Sequence, residues 1–136
     1  MSAEIAILNP PALGKPLAAY SHIARAKGGE FIFIAGQVAT DEKGAIVGGA
    51  DFEAQCARVF ANIGKALDAV GGGFPNIVQF TTYLVHSQDI PKFAAFRARE
   101  FPRLFGGAAY PPNTLLVIDR LVNEAFLVEV QAIAAL

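Results

Sequence analysis

The chain of 136 residues carries 11 Lys and Arg against 12 Asp and Glu, a formal charge of -1, and 54% of its side chains are hydrophobic. Nucleic-acid affinity rests mainly on clustered cations that neutralise phosphate, and the basic residues here are scattered, which argues against a nucleic-acid partner. The length fits one domain over residues 1–136, and no run approaches the roughly 18 unbroken apolar residues that a membrane span requires. So apolar a chain of this size does not hide its surface alone, and a buried subunit interface is the economical explanation.

The first ten residues have no basic region ahead of a short apolar patch, which Asn9 and Pro10 interrupt, so a cytoplasmic protein is expected. Ser21 to Ala26 and Glu30 to Val38 are apolar-rich runs joined by Lys27-Gly28-Gly29, a spacing that predicts a β-hairpin. Phe31-Ile32-Phe33-Ile34-Ala35 is apolar on both faces, so this strand should be covered on both sides, by helices and by a neighbouring subunit or sheet. Asp41 to Gly44 reads as a turn before the short trio Ala45-Ile46-Val47.

Asp51 is a candidate N-cap, and Phe52, Cys56, Val59, Phe60, Ile63, Leu67 and Val70 then recur at intervals of three and four. This predicts a long amphipathic helix that ends at Gly71-Gly72-Gly73. Ile77 to Val85 is rich in β-formers, and a helix between two strands implies a right-handed crossover onto the same sheet. Asp89 and Pro91 open a second helix with an inward stripe of Phe93, Phe96 and Leu104, and Pro102 should kink or end it near Phe101. Phe105 to Pro112 reads as a loop, with closing strands at Leu115 to Ile118 and Ala125 to Ala134. Strands and helices in this order predict an α+β domain, a mixed β-sheet with its helices on one face.

The final strand carries the most informative charge. Side chains alternate along a strand, so Phe126, Val128, Val130 and Ala132 form one apolar face, and Leu127, Glu129, Gln131 and Ile133 form the other. A carboxylate between Leu127 and Ile133 is costly unless it meets water, a partner or a ligand. Edge protection on a solvated face is the plain alternative.

Tyr20-Ser21, Phe33 to Val38, the capped long helix, Ile77 to Tyr83, Phe93-Ala94-Ala95-Phe96, Tyr110-Pro111-Pro112 and Val128 to Ala134 occur in the order of the YjgF/YER057c/UK114 family, which includes the Rid reactive-intermediate deaminases. The chain resembles that family from about Leu13 to Leu136. The resemblance implies a chorismate-mutase-like (YjgF-like) fold with two helices on one face of the sheet, assembled as a homotrimer with small-molecule ligand clefts between subunits. Many members hydrolyse enamines or imines derived from amino acids to 2-keto acids and ammonia, with no cofactor and no metal. Carried over by motif, Glu129 is the acid/base, and Tyr20 and Gly36 line the cleft. The arginine that holds the substrate carboxylate in deaminase members is replaced by Asn113 within Pro111-Pro112-Asn113-Thr114, so standard 2-imino acid deamination is doubtful. Arg97 stands where deaminase members usually carry Asn. It either returns a cation to the cleft or lies on a solvated helix face with Arg99, Glu100 and Arg103.

Other polar residues read more plainly. Cys56, the only cysteine, falls on the helix stripe and is expected in the core, and one cysteine leaves no internal disulfide or multi-cysteine metal site. His22 and His86 have no metal spacing, His22 is expected to be structural, and Arg120 is expected to serve a turn or a subunit contact. Two functions remain: an enamine/imine hydrolase, and a non-catalytic small-ligand-binding trimer of the same family. A ribonuclease reading fits poorly with scattered charge and no His pair.

Overall fold

In the computed structural model, residues 2–107 and 109–136 are described. The elements are β1 (Glu4–Leu8), β2 (Ile23–Lys27), β3 (Phe31–Gln37), α1 (Phe52–Ala69), β4 (Ile77–Leu84), α2 (Ile90–Phe105), β5 (Asn113–Val117) and β6 (Val128–Ala135). Four strands form one mixed sheet in the order β3-β6-β4-β5, in which only β4 and β5 run parallel. The two α-helices pack on one face of it, giving the expected α+β architecture.

The expected hairpin between β2 and β3 does not form. Gly28 and Gly29 do turn the chain at φ of 73° and 74°. Beyond that turn the strands choose other partners: β2 pairs antiparallel with β1, and β3 pairs with β6 from Phe31–Ala135 to Gln37–Val130. β6 offers β3 an almost uninterrupted apolar partner, while β1 offers β2 a short ladder that ends with Glu4 opposite Lys27. A strand at residues 4–8 was not expected, because its five residues precede Asn9-Pro10 and show no two-faced alternation.

The helix α1 forms as its sequence dictates. The Asp51 side chain accepts a hydrogen bond from Ala54 N at 3.2 Å, and Phe52, Cys56, Val59, Phe60, Ile63 and Leu67 are buried against the sheet, while Val70 beyond the last turn is exposed. Phe60 is the centre of an aromatic cluster, with ring centroids 5.7 Å from Phe80, 5.5 Å from Phe96 and 5.5 Å from Phe101. Such pairs add about 0.5–1.5 kcal/mol each beyond their buried area. This cluster also explains why Pro102 does not end α2 near Phe101. The ring removes one hydrogen bond to the exposed turn at Ala98, and Phe101 and Phe105, 5.1 Å apart and both buried, hold the last turn until Gly106 closes it at φ 63°.

Among the described residues no helix lies over the opposite face of the sheet. Ile32 and Ile34 of β3 turn toward the helices, but Phe31 and Phe33 are 53% and 76% exposed. Covering two such rings would contribute about 1.5–3 kcal/mol each. No α-helix among the described residues is long and apolar enough to cross a membrane.

Cys56 is fully buried, and burial pushes its thiol well above the ordinary range, with the Asp89 charge adding to the shift. Native protein should therefore resist thiol labelling until it unfolds, and Cys56→Ala should cost about 1 kcal/mol in a denaturant titration.

Candidate functional site

The ladders around β6 decide where the polar residues go. Glu129 stands opposite Tyr83 of β4, on the same face as the exposed Phe33–Ile133 pair. On the β3 side the register shifts between Ile34 and Gln37, and Gly36 falls within the shift. A Cβ at Gly36 would collide with the Glu129 carboxylate, so the missing side chain gives the carboxylate room to lie across β3. Glu129 is half-buried and has no hydrogen bond or ion pair with any described side chain. Its approach is fixed from behind by buried Gln55, which donates to Gly49 O at 2.7 Å and Ala125 O at 2.9 Å and accepts from Leu127 N at 2.9 Å. Glu129 and Gly36 are thus neighbours, and Tyr83 joins them. Tyr83 was not singled out from the sequence. Alternation along Ile77 to Val85 sets it apart from Phe80, Thr82 and Leu84, but only the β4–β6 register puts it beside Glu129.

Asn113 lies on the other face. It opens β5 opposite the buried Phe80, and its Oδ1 accepts a 2.7 Å hydrogen bond from Thr82 Oγ1. That bond orients the amide and leaves its N–H groups as donors. Tyr20 is brought close by a backbone bond from Ser21 N to Pro111 O at 3.4 Å. The Tyr20 hydroxyl accepts from Leu17 N at 3.2 Å, which leaves its own proton free to donate. His22 bonds Gly14 O at 3.0 Å and packs edge-on to Tyr20. Arg120 holds a turn through Glu124 and the carbonyls of Leu121 and Val122.

Arg97 contradicts the solvated-face expectation. Arg99 and Arg103 do lie exposed and pair with Glu100, but Arg97 is 5% exposed on the inner side of α2. Its guanidinium carbon sits 4.7 Å from the centroid of the Phe93 ring, and Nε and Nη1 are buried with no partner among the described residues. Burial lowers its pKa below the ordinary value, and the nearby Tyr20 phenol acts in the opposite direction. The stripe of Phe93, Phe96 and Phe101 carries the arginine inward because it shares their helical phase.

The sheet therefore separates Glu129, Gly36 and Tyr83 on one face from Asn113 on the other, and side chains on opposite faces of a sheet cannot close on one small molecule. A groove of about 450 Å³ between β2 and the ends of β3 and β4 is lined by His22, Ile23, Phe31, Gln79 and Pro112, none of them a candidate residue. A site that uses both Glu129 and Asn113 must combine two copies of the chain. Among the described residues, no group of three or more His, Cys, Asp or Glu is placed to hold a metal ion.

The sequence profile of the endoribonuclease L-PSP family matches residues 11–136. The chain belongs to this family. It is 35% identical over 121 residues to a RutC family protein of Pyrococcus horikoshii, covering 88% of this chain and 89% of that one. The Rid family protein YyfB from Yersinia pestis superimposes with a TM-score of 0.88 at 30% identity, over 97% of this chain and 98% of that one. RidA from an Antarctic Psychrobacter gives a TM-score of 0.67 at 26% identity, over 90% and 92%. The YjgF-like fold is thus shared across Rid proteins.

The contact between Gly36 and Glu129 can be measured directly. Gly36→Ala should lower stability by about 1–3 kcal/mol in thermal or urea denaturation, because the new methyl must displace the carboxylate. Combining it with Glu129→Ala should recover part of the loss, and a purely additive double mutant would show that the two residues do not touch.

Proposed function

We propose that this chain hydrolyses a small enamine or imine in clefts between the subunits of a homotrimer. Glu129 acts as the acid/base, and Tyr20, Gly36, Asn113 and Arg97 bind the substrate. The observation that carries this reading is the position of Glu129: a half-buried carboxylate without a side-chain partner, held over a glycine on an apolar face that lacks a helical cover. An enamine first takes a proton at carbon and gives one up from nitrogen to become an imine. Water then adds to the imine carbon while Glu129 accepts a proton from the water and the nitrogen gains one. In the second step the nitrogen is protonated again, the C–N bond breaks, the hydroxyl loses its proton, and ketone and ammonia leave. One carboxylate beside the reacting carbon can serve both proton transfers.

Membership of the endoribonuclease L-PSP family and the likeness to Rid structures support this assignment of the site. The exposed Phe31 and Phe33 supply the apolar surface for an assembly that would also bring the two faces of neighbouring sheets together. A second reading, a trimer that binds a small ligand without turning it over, is favoured by Asn113. Its neutral amide lacks the permanent charge with which an arginine would hold a carboxylate. Deamination of 2-imino acids then depends on a cation from elsewhere.

Ammonia release from 2-aminoacrylate or 2-iminobutanoate generated in situ tests the reaction. Wild type should accelerate it, and Glu129→Gln should lower the rate by roughly 10²–10⁴-fold, since an amide does not exchange protons as a carboxylate does. A wild type that binds the product 2-oxobutanoate without accelerating ammonia release would decide for the binding reading. Light scattering should give three times the chain mass, and Phe33→Asp should shift it toward monomer because a charge on the apolar face opposes its burial.

A further inference from the structure

A guanidinium in the interior costs several kcal/mol unless a counter-charge or a full set of acceptors meets it. Around α2 the available carboxylates are already engaged: Glu100 with Arg99 and Arg103, Glu53 with Arg99, and Asp89 with Lys92. Arg97 forms no ion pair among the described residues, and two of its three nitrogens are buried without acceptors. Among the described residues neither of these two nitrogens meets an acceptor. Phe93 forms a plate beneath the guanidinium, and the nearby Tyr20 hydroxyl, which already accepts from Leu17, has a proton to give. Asn113 joins the same end of the sheet through the Ser21–Pro111 contact, and Thr82 turns its amide so that the N–H groups remain to donate. The groups brought to this corner are therefore donors, and the missing component is an acceptor with negative charge.

We propose that Arg97 is the anion receptor of this protein, holding a single carboxylate of a small ligand with Tyr20 and Asn113 as neutral donors. One cation over an aromatic plate suits a planar monoanion: a guanidinium edge offers two parallel N–H groups to the two carboxylate oxygens. A phosphate dianion would need more positive charge than one arginine provides. The apolar surroundings of Phe93 suit a short hydrocarbon body attached to the carboxylate. This deepens the imine-hydrolase reading by supplying the cation that Asn113 lacks, and it rests on that reading only for the identity of the reacting group.

The test measures binding, with turnover as a separate arm. Calorimetric titration of the wild type with 2-oxobutanoate, and with neutral butanone, should show a clear preference for the carboxylate. Arg97→Met and Arg97→Gln should each weaken 2-oxobutanoate binding by roughly 10- to 100-fold, the range for loss of a charged hydrogen bond, and Arg97→Lys should retain part of it. Ligand-free Arg97→Met should melt no lower than the wild type, because it removes an uncompensated buried charge, whereas a structural arginine would melt lower when removed. Equal affinity in wild type and Arg97→Met, or no preference for carboxylate over butanone, overturns the proposal. So does dissociation of the Arg97→Gln assembly in a protein whose wild type ignores 2-oxobutanoate, because the counter-charge then comes from a neighbouring subunit. Carboxylate binding through Arg97 without ammonia release leaves this inference intact and removes the hydrolase reading. Ammonia release unchanged in Arg97→Met does the reverse.

Discussion

β6 hydrogen-bonds to β3 on one side and to β4 on the other, so the four-stranded sheet does not exist until the last strand is in place. Its inner face, Val128, Val130, Ala132 and Ala134, is buried under the helices, and this burial fixes the register. A slip of one residue would drive Glu129 into the core and expose four apolar side chains. The same constraint that folds the sheet therefore holds a carboxylate on the outer face. Gln55 adds a second restraint by bonding the backbone at Ala125 and Leu127, where the chain enters the strand.

Fixing β6 in this way also divides the chemistry. Glu129, Gly36 and Tyr83 belong to the uncovered face, while Asn113 is tied to Thr82 on the face that carries the helices. One copy of the chain has acid/base capacity on one side and a set of donors at the other. Assembly through the exposed phenylalanines would satisfy two needs with one event, covering apolar surface and joining groups that a single sheet keeps apart. The link between oligomerisation and the proposed function would then be geometric.

The helix α2 shows how a packing pattern can carry a charged group inward. Phe93, Phe96, Phe101 and Phe105 define its buried face, and their contacts with Phe60 and Phe80 are strong enough to keep the helix continuous through Pro102. Arg97 shares that phase and is buried with them despite its charge. Evenly charged neighbours in the sequence, Arg99, Glu100 and Arg103, disguise it, because local composition does not separate one arginine from another a half-turn away.

The sequence by itself determined the elements whose signals are local and periodic: the Asp51 cap and stripe of α1, the two-faced alternation of β6, and the α+β order of helices and strands. The side of β6 on which Glu129 stands was legible for the same reason, since alternation is a property of the backbone. Three things were decided only in the tertiary structure. The partner of β3 is one, because β6 lies nearly a hundred residues away and nothing in Lys27-Gly28-Gly29 distinguishes a hairpin from a turn between separate sheets. The burial of Arg97 is another, since it depends on an aromatic cluster drawn from three elements. The third is the seat of the Glu129 carboxylate over Gly36, which needs a register shift between strands that meet only when the chain closes. Each of these is a contact between distant segments, and a linear pattern encodes the faces that will be buried but not which buried faces will meet.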